Sequence, residues 1–353
     1  MTTHGGNIYS LSGILKIPER KIIDFSASIN PLGVSKKIKA GLRKDLKYLI
    51  NYPDPDCNRL RQHLSRHLGI PDNNIICGNG STELIYLVVR GLRPERVLIT
   101  APTFSEYERA VKTSAFSADT TIRFLPLREE ADFRIDTESF IESMQGCRMA
   151  FLCNPNNPTA QLLPRADITR IASAARDLKC FLVVDEAFID FIPQESVVSE
   201  VPENPYLIVL RSMTKFHALS GLRLGFGIFP AETADRLKAL KEPWTVNSLA
   251  QRAGIIALKD RVYKEATLEY IRREKNFMEK GLKGLGIHFY PSPVNFYLLK
   301  HQRAEEIVPA LRKKGILVRD CSNFRGLEKG FLRIAVKTHR DNALLIKELK
   351  RLL

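Results

Sequence analysis

Short apolar runs alternate with amphipathic segments through the first two thirds of the chain, and this alternation constrains the fold more than any other feature. In residues 167–178, for example, apolar side chains recur at the i, i+3, i+4, i+7 spacing of a helix that covers a sheet. Strands connected by helices are typical of a mostly parallel sheet with helices on both faces. The sequence therefore predicts an α/β fold, with strands near residues 75–77, 97–99, 122–125, 149–153, 181–184 and 207–210, and helices near 59–68, from 82 onward, 106–113, 137–144 and 167–178.

The pattern changes after residue 227. Helices are predicted over residues 233–240, 246–258, 263–285 and 304–314, strands over 296–299, 316–319 and 331–335, and a last helix after the capping box from Thr338 to Asp341. The first fifty residues predict an extended piece at 22–25, a loop at 26–33 and a helix at 36–46. We expect three parts, which are an N-terminal arm that belongs partly to a small domain (1–50), a large domain (51–242) and a C-terminal small α+β domain (243–353).

The composition narrows the classes of function. The chain has 353 residues and a formal net charge of +15, with Lys and Arg spread along the sequence rather than gathered in a tail. This distribution favours a basic surface that attracts anionic small molecules over a nucleic-acid site. The cysteines form no Cys-x-x-Cys pair, so we expect reduced thiols and no metal site. No apolar run approaches the roughly 20 residues of a membrane span and no signal-peptide profile is evident, so a cytoplasmic protein is expected.

Polar motifs follow predicted strands at the edge where ligands of parallel sheets bind. Residues 78–83 (GNGSTE) join a strand to a helix, so their N–H groups and the hydroxyls of Ser81 and Thr82 predict an anion site. Asp185 ends an apolar strand, where a carboxylate needs a cationic partner. Residues 154–159 (NPNNPT) form a turn that presents the amide of Asn157. Taken alone, the loops at residues 78–83 and 154–159 are more often simple turns.

The segment of residues 211–227 carries the strongest chemical candidate. Lys215 lies just after an apolar run, with Ser212 three residues before it and Arg223 eight residues after it. A desolvated lysine can lose its proton and condense with an aldehyde. Ser212 and Arg223 supply a hydroxyl and a fixed cationic fork, which suit a phosphate monoester. An ordinary loop lysine is the alternative if Lys215 is considered by itself.

Together these motifs resemble the pyridoxal-phosphate (PLP) enzymes of the aspartate-aminotransferase fold, over essentially the whole chain. The resemblance implies a large domain with a mostly parallel, seven-stranded type of sheet and a smaller α+β domain. It implies that Lys215 bonds to PLP and that Asp185 pairs with the pyridinium nitrogen, which makes both catalytic. The other cofactor-binding residues that it implies are Gly80, Ser81, Thr82, Phe104, Asn157, Ser212, Arg223 and, from the neighbouring subunit of a homodimer with shared active sites, Tyr52.

Two positions depart from the family pattern. Ala160 stands where the family has Gly, so the local backbone is expected to differ slightly. Phe188 stands where many members have a Tyr that hydrogen-bonds the phenolic oxygen of PLP. Without that hydroxyl, the linkage between lysine and cofactor should be more basic.

A finer resemblance comes from residues 4–7 (HGGN), 24–33, 185–191 and 243–247 (PWTVN), which are similar to the L-threonine-O-3-phosphate decarboxylases of cobalamin biosynthesis. It implies a phosphorylated amino-acid substrate. The substrate-binding candidates are His4, Asn30, Asn157, Asn247, Arg319 and Arg333. Two alternatives stay open, namely histidinol-phosphate aminotransferase, which shares the fold and the Tyr-Pro-Asp-Pro stretch, and a basic binding protein that uses no cofactor.

Overall fold

The computed structural model describes residues 4–114 and 120–353, so residues 1–3 of the predicted N-terminal arm lie outside the described residues. The helices are α1 (Ile8–Leu15), α2 (Lys36–Asp45), α3 (Asn58–Leu68), α4 (Ser81–Leu92), α5 (Glu106–Thr113), α6 (Thr137–Met144), α7 (Arg165–Asp177), α8 (Ala231–Lys238), α9 (Ser248–Leu258), α10 (Arg261–Gly284), α11 (Ala304–Lys313) and α12 (His339–Leu352). The strands are β1 (Ile23–Asp24), β2 (Ile75–Asn79), β3 (Arg96–Ala101), β4 (Thr121–Pro126), β5 (Met149–Cys153), β6 (Phe181–Asp185), β7 (Leu207–Ser212), β8 (Leu224–Ile228), β9 (His288–Phe289), β10 (Phe296–Lys300), β11 (Ile316–Leu317), β12 (Arg319–Asp320) and β13 (Phe331–Ala335). Within these described ranges, no helix is long and apolar enough to cross a membrane.

A seven-stranded sheet forms the centre of the larger part of the chain. Its strand order is β2-β8-β7-β6-β5-β3-β4. The four pairs among β3, β4, β5, β6 and β7 are parallel, and the two pairs that involve β8 are antiparallel. This confirms the predicted α/β fold with a mostly parallel sheet.

Strand β8 was not predicted, because Gly225 and Gly227 interrupt its apolar pattern and glycine is a weak strand former. In the structure β8 lies between β2 and β7. Gly225 is opposite Gly78 of β2 on one side and Ser212 of β7 on the other. This strand therefore brings the glycine-rich loop after β2 next to the lysine segment after β7.

Residues along the sheet strands alternate between two apolar cores, one on each face. In β6, Leu182 and Val184 belong to one core, whereas Val183 belongs to the other. All three side chains are fully buried, and each such burial stabilises the fold by about 1.5–3 kcal/mol. The strand carries its polar group only at the carboxyl end, where Asp185 lies.

The smaller part of the chain contains an antiparallel sheet with the order β12-β13-β10-β9 and a parallel pair of β1 with β11. The single strand predicted at residues 316–319 is two strands, because β11 pairs with β1 and β12 pairs with β13. Val318 separates them at the change of partner. Since β1 comes from the first fifty residues, the N-terminal segment contributes to this sheet region.

Helix α1 was also not predicted, since we expected no helix before residue 36. Asn7 caps it by accepting a hydrogen bond from the Ser10 nitrogen at 3.1 Å. Only Leu11 of this helix is buried. Ile8 and Leu15 are partly buried and pack in the same cluster as Leu11, whereas Tyr9 and Ile14 are exposed. Apolar residues therefore lie on both faces of the helix, and this obscures the amphipathic pattern that predicts one.

Candidate active site

The predicted cofactor-binding residues meet in a single cleft at the carboxyl edge of the seven-stranded sheet. Because β5, β6 and β7 are adjacent and parallel, the segments that follow them end at the same edge. The cleft is lined by every predicted cofactor-binding residue except Tyr52, namely Gly80, Ser81, Thr82, Phe104, Asn157, Asp185, Ser212, Lys215 and Arg223.

The loop after β2 forms one end of this cleft and has the features of a phosphate cradle. Ser81 begins α4, so the N-terminus of this helix supplies free N–H groups and a positive partial charge. Gly80 adopts φ +76°, and a Cβ atom there would lie 2.5 Å from Nη2 of Arg223. A Cβ atom at Gly225 would lie 2.3 Å from the Ser81 nitrogen. Gly80 is therefore required by its left-handed backbone conformation, and Gly225 by the close approach of β8 to the Ser81 loop.

Lys215 lies in the middle of the cleft with its amine among polar and aromatic groups. Its Nζ donates to the Thr214 hydroxyl at 2.8 Å and lies 5.8 Å from the centre of the Phe188 ring. Burial, with the positive charge of Arg223 as the next cause, lowers the pKa of Lys215 to about 8. A substantial part of this amine is therefore neutral in mildly alkaline solution, as condensation with an aldehyde requires.

Asp185 forms the floor of the cleft and is 2% exposed. It accepts hydrogen bonds from the Tyr107 hydroxyl at 2.7 Å and from the Ala187 nitrogen at 3.1 Å. Burial raises the pKa of Asp185, although Tyr107 and the charge of Lys215 oppose the shift. The sequence analysis did not single out Tyr107, because its contact with Asp185 joins two distant parts of the chain. The only available signal was that Tyr107 carries a hydroxyl and lies three residues after Phe104, the predicted stacking aromatic.

A larger cavity of about 670 Å³ continues outward from the cleft, and Arg319 and Arg333 lie in its wall. Arg333 is buried and donates to Asn157 Oδ1 and to the carbonyl of Ser26. Its Nε has no hydrogen-bond partner among the described residues. Arg319 donates to Asn323 Oδ1 at 2.8 Å and stacks on a phenylalanine ring. The two guanidinium groups give this cavity the character of an anion site.

The arm tip, which we define as residues 4–7, closes one side of the cavity. His4 Nε2 contacts Glu106 Oε1 at 2.9 Å, and the Gly6 nitrogen donates to Ser26 Oγ at 2.7 Å. His4, Gly5 and Gly6 all line the cavity. His4 therefore lies in the cavity wall, and its imidazole contacts a carboxylate that the sequence analysis did not single out. Its role in substrate binding stays a prediction.

Three of the predicted residues lie outside the cavity formed by this chain. The Asn30 amide donates to the Phe216 carbonyl at 2.7 Å and to the hydroxyls of Tyr263 and Thr267 at 2.9 and 2.8 Å, so it is committed to structural contacts. Asn247 caps α9 by accepting from the Ala250 nitrogen at 2.8 Å and donates to the Leu222 carbonyl at 3.0 Å. Tyr52 is 84% exposed. The structure thus corrects the expectation that Asn30 and Asn247 face the substrate within one chain.

The cleft fits PLP by the chemistry of its groups. The helix start at Ser81, the Ser212 hydroxyl and the Arg223 guanidinium suit a phosphate. At the other end, Asp185 is a buried carboxylate that a ring cation would stabilise. Lys215 lies between them, and Phe104 supplies an aromatic face. The arrangement can therefore hold an anionic, aromatic aldehyde and attach it covalently to Lys215.

Comparisons with known proteins agree with this geometry. A family model described as "Aminotransferase class I and II" matches residues 20–349 of the chain. A threonine-phosphate decarboxylase of Salmonella typhimurium is 38% identical over 357 residues, covering 100% of this chain and 97% of the relative. A histidinol-phosphate aminotransferase of Thermoanaerobacter sp. is 36% identical over 307 residues, covering 86% of this chain and 84% of the relative. The solved structure of histidinol-phosphate aminotransferase from Clostridium acetobutylicum matches with a TM-score of 0.87 and 32% identity, over 94% of this chain and 99% of that chain.

Proposed function

The chain belongs to the class I and II aminotransferase family of PLP-dependent enzymes, and we propose that it decarboxylates L-threonine O-3-phosphate to (R)-1-aminopropan-2-yl phosphate for cobalamin biosynthesis. The observation that carries the proposal is the presence of two buried arginines, Arg319 and Arg333, in one cavity that the arm tip closes. Such a cavity suits a small substrate that carries both a phosphate and a carboxylate. Membership of an enzyme family removes the alternative of a binding protein that uses no cofactor.

The floor of the cleft prepares the site for this chemistry. When bound, PLP supplies an aldehyde that bonds to an amine and a protonated ring that accepts electrons from the α-carbon bond perpendicular to it. Asp185 would keep the proton on the ring nitrogen, because a buried carboxylate stabilises an adjacent cation. The Tyr107 hydroxyl, 2.7 Å from Asp185 Oδ2, would fix the orientation of that carboxylate.

Lys215 would act at two stages. Its pKa of about 8 allows the neutral amine to bond to the cofactor aldehyde. With substrate bound, Lys215 would be free of the cofactor and would carry a proton taken from the substrate ammonium, which it could deliver to the substrate α-carbon after the carboxylate has left. The Thr214 hydroxyl, which contacts both Lys215 Nζ at 2.8 Å and Ser212 Oγ at 2.7 Å, would limit the positions that this amine can reach.

A decarboxylase has to hold the substrate carboxylate out of the plane of the cofactor ring, and the phosphate is the natural handle for that orientation. Arg319, Arg333 and His4 are the groups in the cavity wall that we assign to the two anions. Arg333 is already oriented by Asn157 and by the Ser26 carbonyl, which reduces the cost of ordering it around a substrate.

Histidinol-phosphate aminotransferase is the second candidate. The same two arginines suit the phosphate of histidinol phosphate and the carboxylates of a keto acid, and a relative with this activity in its name is 36% identical. Histidinol phosphate has no carboxylate to lose, so it can react only by losing its α-proton. An aminotransferase would therefore need a keto acid such as 2-oxoglutarate in every cycle, whereas a decarboxylase would not.

The two functions are separated by incubating the PLP-loaded protein with each substrate, with and without 2-oxoglutarate. The proposal predicts carbon dioxide and aminopropanol phosphate from threonine phosphate, with no requirement for a keto acid. Rapid turnover of histidinol phosphate that depends on 2-oxoglutarate, with threonine phosphate inert, would establish the aminotransferase instead.

We also propose that the protein is a homodimer in which Tyr52 reaches the PLP phosphate of the neighbouring subunit. Tyr52 contacts Trp244, with 5.4 Å between ring centres, and both are at least half exposed. Leu49 and Ile50, just before Tyr52, are exposed as well. A contiguous exposed apolar patch of this kind marks a protein interface. Sedimentation of a dimer, with weaker PLP binding in Tyr52→Ala, is expected; a fully active monomer would contradict the proposal.

A further inference from the structure

The arm tip is held by a carboxylate that belongs to the large domain. Glu106 Oε1 contacts His4 Nε2 at 2.9 Å, and Glu106 Oε2 accepts a hydrogen bond from the Tyr86 hydroxyl at 2.9 Å. Glu106 is only 6% exposed. Both oxygens of this nearly buried carboxylate therefore have a polar partner, and the partner of Oε1 is in the arm tip.

Glu106 is also placed where it links the arm tip to the cofactor cleft. It is the first residue of α5, two positions after Phe104, whose ring lines the cleft. The ring centres of His4 and Phe104 are 6.1 Å apart. Arg109, one turn further along α5, lies 3.6 Å from Glu106 Oε1. Phe104, which lines the cofactor cleft, and Glu106, which contacts His4, therefore belong to the same wall of the cavity.

The opposite end of the arm tip is fixed to a different part of the chain. Gly6 donates its N–H to Ser26 Oγ at 2.7 Å, and a Cβ atom at Gly5 would lie 2.3 Å from the Ser26 carbonyl oxygen. Ser26 follows β1, which pairs with β11. The arm tip therefore spans the cavity from the β1–β11 region to α5, with one polar contact at each end.

We propose that Glu106, supported by Tyr86, is a positioning residue that keeps the arm tip closed over the phosphate end of the substrate. A carboxylate in the wall of an anion-binding cavity weakens the binding of a phosphate dianion through like-charge repulsion. The presence of Glu106 in this wall is explained if the carboxylate holds His4 in the position where His4 binds the substrate phosphate. The inference rests on the proposed function, because it takes the substrate to be phosphorylated.

The first test measures closure directly, by hydrogen–deuterium exchange of the N-terminal peptide in the PLP-loaded enzyme without substrate. Glu106→Ala should speed the exchange of the Gly6 amide by about tenfold or more, as expected when a hydrogen bond to a charged group is lost. Glu106→Gln keeps an acceptor for His4, so its exchange should lie between that of Glu106→Ala and the wild type.

Glu108→Ala is the matched control, since Glu108 lies on the same helix and pairs with Arg325 at 2.8 Å but has no contact with the arm tip among the described residues. Its exchange at Gly6 should equal that of the wild type. Unchanged exchange in Glu106→Ala, or an equal increase in Glu108→Ala, would overturn the inference.

The second test asks whether the effect is specific for phosphate, using kcat/KM for threonine phosphate and for L-threonine. Glu106→Ala should lower the preference for the phosphorylated substrate by about tenfold or more, and His4→Ala should do the same. The double variant should be no worse than the poorer single variant, because both act through one contact. Additive effects, or equal losses for both substrates, would assign Glu106 a purely structural role.

The outcomes also separate this inference from the proposed function. If the wild type does not decarboxylate threonine phosphate, the proposed function fails, while the exchange experiment still decides whether Glu106 holds the arm tip. If the wild type decarboxylates threonine phosphate but Glu106→Ala leaves both exchange and phosphate preference unchanged, only the role of Glu106 is refuted.

Discussion

Replacing Gly225 by alanine is the perturbation that tests the phosphate cradle most selectively. The added Cβ would lie 2.3 Å from the Ser81 nitrogen and 2.6 Å from the Gly80 carbonyl carbon. Both are backbone atoms, so no side chain can rotate away. To reach the 3.0 Å below which such contacts are essentially never seen, the strand or the loop has to move by at least 0.7 Å.

A shift of this size moves the Ser81 N–H away from the position of the cofactor phosphate. A hydrogen bond to a charged group contributes roughly 1.5–3 kcal/mol, which corresponds to a change in affinity of about ten- to a hundredfold. The overpacking itself costs about 1–3 kcal/mol of folding stability. Gly225→Ala should therefore bind PLP more weakly by one to two orders of magnitude while remaining folded.

The assay is equilibrium titration of the PLP-free protein, followed by the visible absorbance of the bound cofactor. Gly221→Ala is the matched control, because a Cβ at Gly221 meets no atom within 4 Å and lies in the same segment. PLP affinity in Gly221→Ala should stay close to that of the wild type. Equal affinities in both variants would refute the assignment of this loop as the phosphate cradle.

Three further predictions concern buried groups around Lys215. Asp185→Asn should keep PLP but lose turnover by orders of magnitude, as measured by product formation under saturating cofactor, and near-normal turnover would remove Asp185 from the mechanism. Phe188→Tyr should lower the pKa of the lysine–cofactor linkage, because a new hydroxyl can donate to the cofactor oxygen and favour the unprotonated form; an absorbance titration that coincides with that of the wild type would contradict this. Burial lowers the pKa of His217 to about 4 from its ordinary value of 6.5, so the unfolded chain binds more protons between these values and stability falls as the pH is lowered through that window. The full effect is roughly 3 kcal/mol, and urea unfolding of His217→Gln should show a correspondingly smaller loss between pH 7 and pH 4.5 than the wild type.

The helices and strands could be predicted where the apolar periodicity of a segment matches the face that it buries in the fold. Helix α6 and strand β13 have the predicted bounds, because their apolar periodicity is complete within the segment. Strand β8 could not be predicted, since Gly225 is required by the close approach of the Ser81 loop and Gly227 by the packing of Phe229 and Leu210, and neither glycine reflects strand propensity. Helix α1 was missed because exposed apolar residues, Tyr9 and Ile14, accompany the face of Ile8, Leu11 and Leu15 that packs in the core, so the sequence shows no clear apolar stripe.

The candidate site could be predicted to the extent that its residues follow strands. Lys215, Asp185 and the Ser81 loop are at strand ends, so the topology brings them together. The partners of these groups depend on contacts between distant segments, as with Tyr107 and Asp185, which are 78 residues apart. Asn30 was wrongly predicted to face the substrate for the same reason. Its amide donates to three groups in distant segments, and the sequence does not show these contacts.

The central claim is that Lys215, Asp185 and the two arginines of the cavity direct the loss of a carboxylate from a phosphorylated amino acid. It is tested most directly by following carboxyl-¹³C-labelled threonine phosphate with the purified PLP-loaded protein by NMR. The account predicts that all of the label leaves as carbon dioxide, in equal amount to aminopropanol phosphate and without an added keto acid. Retention of the label in a keto acid, or in unreacted threonine phosphate, would contradict it.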